Sequence, residues 1–151
     1  IMCRQLRDKA ITNLDAASVL KELPNRHHCS SVHCSYYSCF QAIKYIILSD
    51  FGLTDSDIIQ NRETESYILN GRKVQPSEHD YLIRYIHKSI ISLKQLKDAQ
   101  EFNENIGKLK SLRNNADYKP IIIEKDKSDS ALNYAETVHK ILKRIYKYDQ
   151  N

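Results

Sequence analysis

Between residues 3 and 23 the apolar side chains Leu6, Ala10, Leu14, Ala17 and Leu20 recur every three or four positions, and Pro24 follows. That spacing puts them on one face of a helix, which the proline ends. The same period returns from about residue 28 to 48 through Val32, Tyr36, Cys39, Phe40, Ile43 and Ile47, with Gly52 as a stop soon after. Pro76-Ser77-Glu78 is a start signal for a third helix, with Tyr81, Leu82, Tyr85, Ile86, Ile90 and Leu93 facing inward. A fourth runs from roughly Phe102 through Ile106, Leu109 and Leu112, and Pro120 ends it. The last begins near Ser130 and shows Leu132, Ala135, Val138, Leu142, Ile145 and Tyr146. Two stretches lack a clear period. Residues 53–75 read as a polar connector with at most a short helix, and residues 120–130 as a connector that is apolar and then charged. The pattern predicts an all-α, up-and-down antiparallel bundle of about five helices, forming a single domain over residues 1–151.

Composition agrees with that reading. A chain of 151 residues can bury a sizeable core without staples, and three Gly with three Pro are too few for the many turns of a strand-rich fold. The net charge of +4 is compatible with nucleic acid without requiring it. No apolar run approaches the roughly 18 residues that a membrane-spanning helix needs. The opening IMCRQLRDKA has charges and no apolar centre, unlike a signal peptide, so the four cysteines read as reduced thiols in a cytoplasmic protein.

Residues 25–40, NRHHCSSVHCSYYSCF, crowd His and Cys together. Zinc needs four ligands converging on one point. Cys29, Cys34 and Cys39 are five apart, and five residues turn a helix by roughly 140° past a full circle, so they diverge. Cys29 and His33 share a face, but two ligands do not close a structural site. His33 and Cys34 are adjacent and point apart, which disfavours a nucleophile–base pair. The stretch reads as packing: Ser31, Cys34, Ser35 and Ser38 are small enough to admit a neighbouring helix, and Tyr36, Tyr37 and Phe40 add bulk. Metal-dependent hydrolysis is therefore disfavoured, and neither metal nor cofactor is expected. His27, His28, His87 and His139 show no partner in the sequence and read as surface or helix-end residues. Lys140, Lys143, Arg144 and Lys147, with Tyr146 and Tyr148 among them, read as a solvated basic face that could otherwise meet phosphates.

The segment KLKSLRNNADYKP, residues 108–120, read with SVHCSYYSCFQAIKYIIL, residues 31–48, resembles the HEPN superfamily of small helical bundles. In that family the second helix commonly carries Tyr-Tyr followed by an aromatic and a basic residue, here Tyr36, Tyr37, Phe40 and Lys44. A histidine near the start of the third helix is frequent, and His79 fits. The R-N-x-A-D-Y run looks like the signature of a variant branch. The resemblance implies a homodimer in which two Arg–x(four to six)–His motifs face each other as a metal-independent RNA-cleaving site. It also implies a toxin–antitoxin or defence setting, with a nucleotidyltransferase-type antitoxin as partner. Carried onto this chain, the candidate catalytic residues are Arg113 for the phosphate, Asn114 beside it, Asp117, and Tyr118 where the family has histidine.

That departure has a chemical cost, because a phenol with an ordinary pKa of ~10 is a poor base unless a nearby cation lowers it. Arg113 is the candidate cation. Without the resemblance, Arg113 and Asp117 read as a surface i,i+4 ion pair worth about 0.3–0.5 kcal/mol, and Tyr118 as packing before Pro120. Two functions follow: a HEPN-like RNA-binding protein or metal-independent endoribonuclease, and a non-catalytic helical module that binds a protein partner. Elemental analysis of protein purified without chelator should find no stoichiometric zinc. One zinc per chain, lost on replacing Cys29 or His33, would overturn the packing reading of residues 25–40.

Overall fold

The computed structural model describes residues 2–148, so Ile1 and the three C-terminal positions of the expected 1–151 domain lie outside it. The described chain forms six α-helices: α1 (Met2–Leu20), α2 (His28–Ser49), α3 (Asp55–Thr64), α4 (Glu78–Ser92), α5 (Leu96–Tyr118) and α6 (Lys125–Tyr146). A single 3-10 turn, Asn25–His27, leads into α2, and a small antiparallel hairpin, β1 (Tyr67–Leu69) and β2 (Arg72–Val74), lies between α3 and α4. The helical class expected from the periodicity holds, with six helices among the described residues where about five were expected. No helix among the described residues is long and apolar enough to cross a membrane.

The extra elements have local causes that apolar periodicity does not register. Helix α3 buries only Ile58, and its start is set by a capping box. The Thr54 backbone N–H donates to Asp57 Oδ2 at 2.7 Å, and the Asp57 N–H donates to Thr54 Oγ1 at 3.2 Å. The hairpin turns on Asn70 and Gly71, both left-handed at φ +49° and +76°, as the tight two-residue turn demands. Helix α5 starts at Leu96 instead of near Phe102, and its polar first turns are anchored by buried Ala99 and by Asp98, 2.5 Å from Arg144 of α6. Helix α6 likewise starts at Lys125 instead of near Ser130. Its first turns bury Ser128 and pair Asp129 with Lys21 of α1 at 3.2 Å. The end of α5 matches expectation: Lys119, before Pro120, is extended at φ −112°, ψ 141°, as a residue preceding proline prefers.

Helix α2 packs against α1, α4, α5 and α6. Its Tyr36, Cys39, Ile43, Ile46 and Ile47 share one core with Leu82, Ile86 and Ile90 of α4, Phe102, Ile106 and Leu109 of α5, and Val138, Ile141 and Leu142 of α6. The serines Ser31, Ser35 and Ser38 are completely buried. Ser31 Oγ donates to the Ala17 carbonyl at 2.8 Å and Ser38 Oγ to the Ser35 carbonyl at 2.7 Å, so these two hydroxyls sit in the core at little cost, whereas the buried Ser35 hydroxyl has no hydrogen-bond partner among the described residues. Cys39 is buried with its thiol 3.7 Å from the Ala135 carbonyl.

Two histidines read as surface residues are in the interior. His28 Nδ1–H donates to the Ile123 carbonyl at 3.3 Å, and His139 Nε2 is 3.0 Å from Ser38 Oγ while its Nδ1 meets the Tyr148 hydroxyl. Tyr148 is buried as well, with Lys143 Nζ 6.0 Å from its ring centre, and Tyr146 donates its hydroxyl to Ser89 Oγ at 2.8 Å, so the tyrosines of the α6 end turn into the bundle. Each imidazole was illegible in sequence because its partner lies on another element. Ile43→Ala, in the fully buried wall of α2, should cost about 2–5 kcal/mol in urea unfolding. Ile68→Ser, in the exposed hairpin, should change stability by no more than about 0.5 kcal/mol. Equal costs would show that the core does not lie where α2 meets its neighbours.

Candidate functional site

The helical period places His33, Tyr36, Tyr37, Phe40 and Lys44 along one flank of α2, since they are separated by three, one, three and four residues. Opposite them α5 presents Lys110, Arg113 and Asp117, again spaced by three and four. The first turn of α4 brings Glu78, His79 and Asp80 to the same place. Its register is fixed by Ser77, whose hydroxyl oxygen accepts the Asp80 backbone N–H at 3.0 Å.

Arg113 is the centre of this cluster. Its guanidinium carbon lies 5.6 Å, 5.5 Å and 5.0 Å from the ring centres of Tyr36, Tyr37 and Tyr118. Nη2 donates to the Tyr37 hydroxyl at 3.0 Å and Nη1 to Asn114 Oδ1 at 3.2 Å. Nε lies 2.7 Å from Asp117 Oδ2 but off the angle of a hydrogen bond, so that contact is one of charge. Burial works against the charge on Arg113, yet Tyr37, Asp117 and Tyr118 outweigh it and raise its pKa further, leaving a permanent cation. Asp117 serves a second group too: His33 Nδ1–H points at its carboxylate, 3.3 Å from Oδ1 and 3.2 Å from Oδ2. The His33 ring stacks on Tyr37 with centres 4.4 Å apart.

His79 closes the other side. Its ring stacks on Phe40 at 3.8 Å and its Nδ1 is hydrogen-bonded to the Tyr36 hydroxyl at 2.8 Å. Burial, and then the nearby Arg113 charge, lowers its pKa, so this imidazole is neutral at neutral pH. Burial pushes the Tyr36 phenol in the opposite direction, well above its ordinary value. Around these rings the remaining charges are matched. Lys44 contacts Glu78 at 2.8 Å and Asp55 at 2.9 Å, and Lys110 pairs with Asp80. Burial opposes the charge on Lys44, but its two carboxylate partners prevail and raise its pKa. Burial also opposes the charge on Asp80, and Lys110 and Ser77 overcome it and lower that pKa.

All four residues proposed from sequence are therefore brought together, and the R-N-x-A-D-Y run forms a continuous part of the site. Their setting differs from the surface ion pair considered above, because the side chains of Arg113 and Asp117 are only 13% and 19% exposed. Tyr118, in contrast, is 71% exposed and does not pack into the core. The participant that sequence reasoning missed is His33, weighed only against its cysteine neighbours although its partner is 84 positions away. The stripe from His33 to Lys44 on a single flank of α2 was the signal that could have found it. Among the described residues no three His, Cys, Asp or Glu side chains are grouped as metal ligands. Burial pushes the Cys34 thiol up and the Cys39 thiol to about 12, so neither offers a thiolate nucleophile at neutral pH. No family model matches this chain, and no curated protein or solved structure shows a significant match to it.

The lowered pKa of His79 makes a statement about stability. Because the folded value lies below the ordinary value of 6.5, the unfolded chain binds the proton more tightly. Stabilisation from the neutral ring is complete above about pH 6.5 and is lost as the pH falls through the folded value. Wild-type protein should therefore lose more unfolding free energy than His79→Gln between about pH 7.5 and pH 5, as read by denaturant titration. Parallel losses would mean that His79 titrates as it does in the unfolded chain.

Proposed function

We propose that this chain is a HEPN-like RNA-binding protein acting as a metal-independent endoribonuclease, with a composite site formed where two copies meet. The observation that carries this reading is the guanidinium of Arg113, walled by three tyrosine rings and fixed from behind by Tyr37 and Asp117. Its outer side is covered by Asn114 and Tyr118, both exposed. A phosphate oxygen that displaces the Asn114 carbonyl meets a planar fork already oriented, which is how a cation stabilises growing phosphate charge without reorganising. The exposed Tyr118 ring offers a stacking surface for an unpaired base, the usual target of sequence-tolerant RNA recognition. The toxin–antitoxin or defence setting belongs to the same proposal, as does a cytoplasmic location.

A second reading has its own support. Arg113 is engaged by Tyr37, Asn114 and Asp117 of its own chain, and Ile121 and Ile122, just beyond Tyr118, are exposed at 46% and 77%. Apolar side chains beside a saturated arginine suit a non-catalytic helical module that docks a protein such as a nucleotidyltransferase-type antitoxin.

The two readings separate in a binding and cleavage assay run in EDTA, with light scattering at tens of micromolar to establish the dimer. Single-stranded RNA should bind in a salt-sensitive manner and be cut slowly. Arg113→Ala should weaken binding about 10- to 100-fold, the usual worth of a charged hydrogen bond, while Arg113→Lys retains much of the affinity and loses the fork geometry. Tyr118→Phe should reduce cleavage with the fold intact. If the protein is monomeric, or if wild type and Arg113→Ala bind RNA equally and neither cuts it, the interaction module is the correct account.

A further inference from the structure

We infer that His33, held by Asp117, is the general base of this site, an assignment that rests on the ribonuclease reading and deepens it. Imidazole is the usual general base of proton-transfer chemistry, and the geometry decides which imidazole of this site is free to act as one. Two imidazoles border Arg113. His79 is occupied, hydrogen-bonded through Nδ1 to Tyr36 and stacked against Phe40. His33 is differently placed: its side chain is 47% exposed, and its Nδ1–H donates to the Asp117 carboxylate. A carboxylate on Nδ1 fixes the tautomer in which Nε2, across the ring, carries the free lone pair.

Two groups tie this base to the phosphate-binding cation. Asp117 bridges His33 Nδ1 at 3.2 Å and Arg113 Nε at 2.7 Å. Tyr37 lies under the His33 ring with centres 4.4 Å apart and accepts from Arg113 Nη2 at 3.0 Å. Base and cation therefore move together, which general-base catalysis requires. In the reaction, His33 Nε2 takes the proton from a ribose 2′-hydroxyl as its oxygen forms a bond to phosphorus. The bond from phosphorus to the 5′-oxygen breaks, and that oxygen takes a proton from water. The products are a 2′,3′-cyclic phosphate and a 5′-hydroxyl end. The imidazolium then returns its proton to the hydroxide left behind, and no metal or redox partner enters the balance. Asp117 is a positioning residue, acting through both His33 and Arg113.

The test uses the full chain, an oligoribonucleotide and EDTA. His33→Ala should lower kcat by about 10²- to 10⁴-fold, the usual worth of a general base, while RNA affinity and the unfolding midpoint stay close to wild type. Added imidazole should restore part of the lost rate, and His33→Gln, which keeps a hydrogen-bonding side chain, should be as slow as His33→Ala. Asp117→Asn should lower kcat and also raise KM, because Asp117 holds Arg113 as well as His33, and Asp117→Glu, which keeps the charge, should recover part of both. A wild type that cuts RNA and a His33→Ala protein that cuts it within about threefold would overturn this assignment and leave the ribonuclease reading intact. Loss of binding and cleavage together in His33→Ala, with no imidazole rescue, would reassign His33 to packing. A wild type that never cuts RNA would remove both.

Discussion

Twelve of the 22 residues of α2 are buried, and α1, α4, α5 and α6 are arranged around that one helix. Such a helix must be apolar or small around most of its circumference, and here the two demands are divided by face. Ser31, Ser35 and Ser38 are fully buried where neighbouring backbones come close, and isoleucines fill the middle of the core. The flank from His33 to Lys44 is left to carry rings and charge. The same rigid element therefore supports both the interior and the site, so the site inherits the precision of the core.

The second constraint is the charge of Arg113. A guanidinium whose side chain is only 13% exposed is best paired, and its partners here come from two helices. Tyr36 and Tyr37 come from α2, Asp117 and Tyr118 from the same helix as Arg113 itself. The arrangement is thus a clamp between α2 and α5 as well as a binding feature, with His79 of α4 completing the ring wall. A substitution at Arg113 acts on both roles, which is why the charge-preserving lysine variant and the alanine variant carry different information.

Much of this could be read along the chain, for reasons that differ between elements. Helices α1, α2 and α4 have strong periods and clear stops or starts at Pro24, Gly52 and Pro76-Ser77, and they lie close to where those signals place them. The first turns of α5 and α6 escape because they are polar and are held by ion pairs to other helices, a tertiary cause with no local signature. The hairpin escapes because three-residue strands offer no alternation to detect, although Asn70-Gly71 marks the turn. In the site, the R-N-x-A-D-Y run was visible as a motif, but the partial burial of Arg113 was not. The meeting of His33 with Asp117 depends on how α2 and α5 pack, which spacing within either helix does not specify.

The distance along the chain between α2 and α6 has a consequence for synthesis. Cys39 meets the Ala135 carbonyl 96 residues later, and Ser38 meets His139 at a separation of 101. At roughly 5–20 residues per second, a ribosome needs some 5–20 s to deliver α6 after α2 has been made. During that interval α4 and α5 become available to cover part of the isoleucine face of α2, but the side that α6 closes stays open, because α6 has not been translated. The nascent chain is therefore most exposed to chaperones and to off-pathway association before α6 emerges, and closure of the core is a late, long-range event and not a local one.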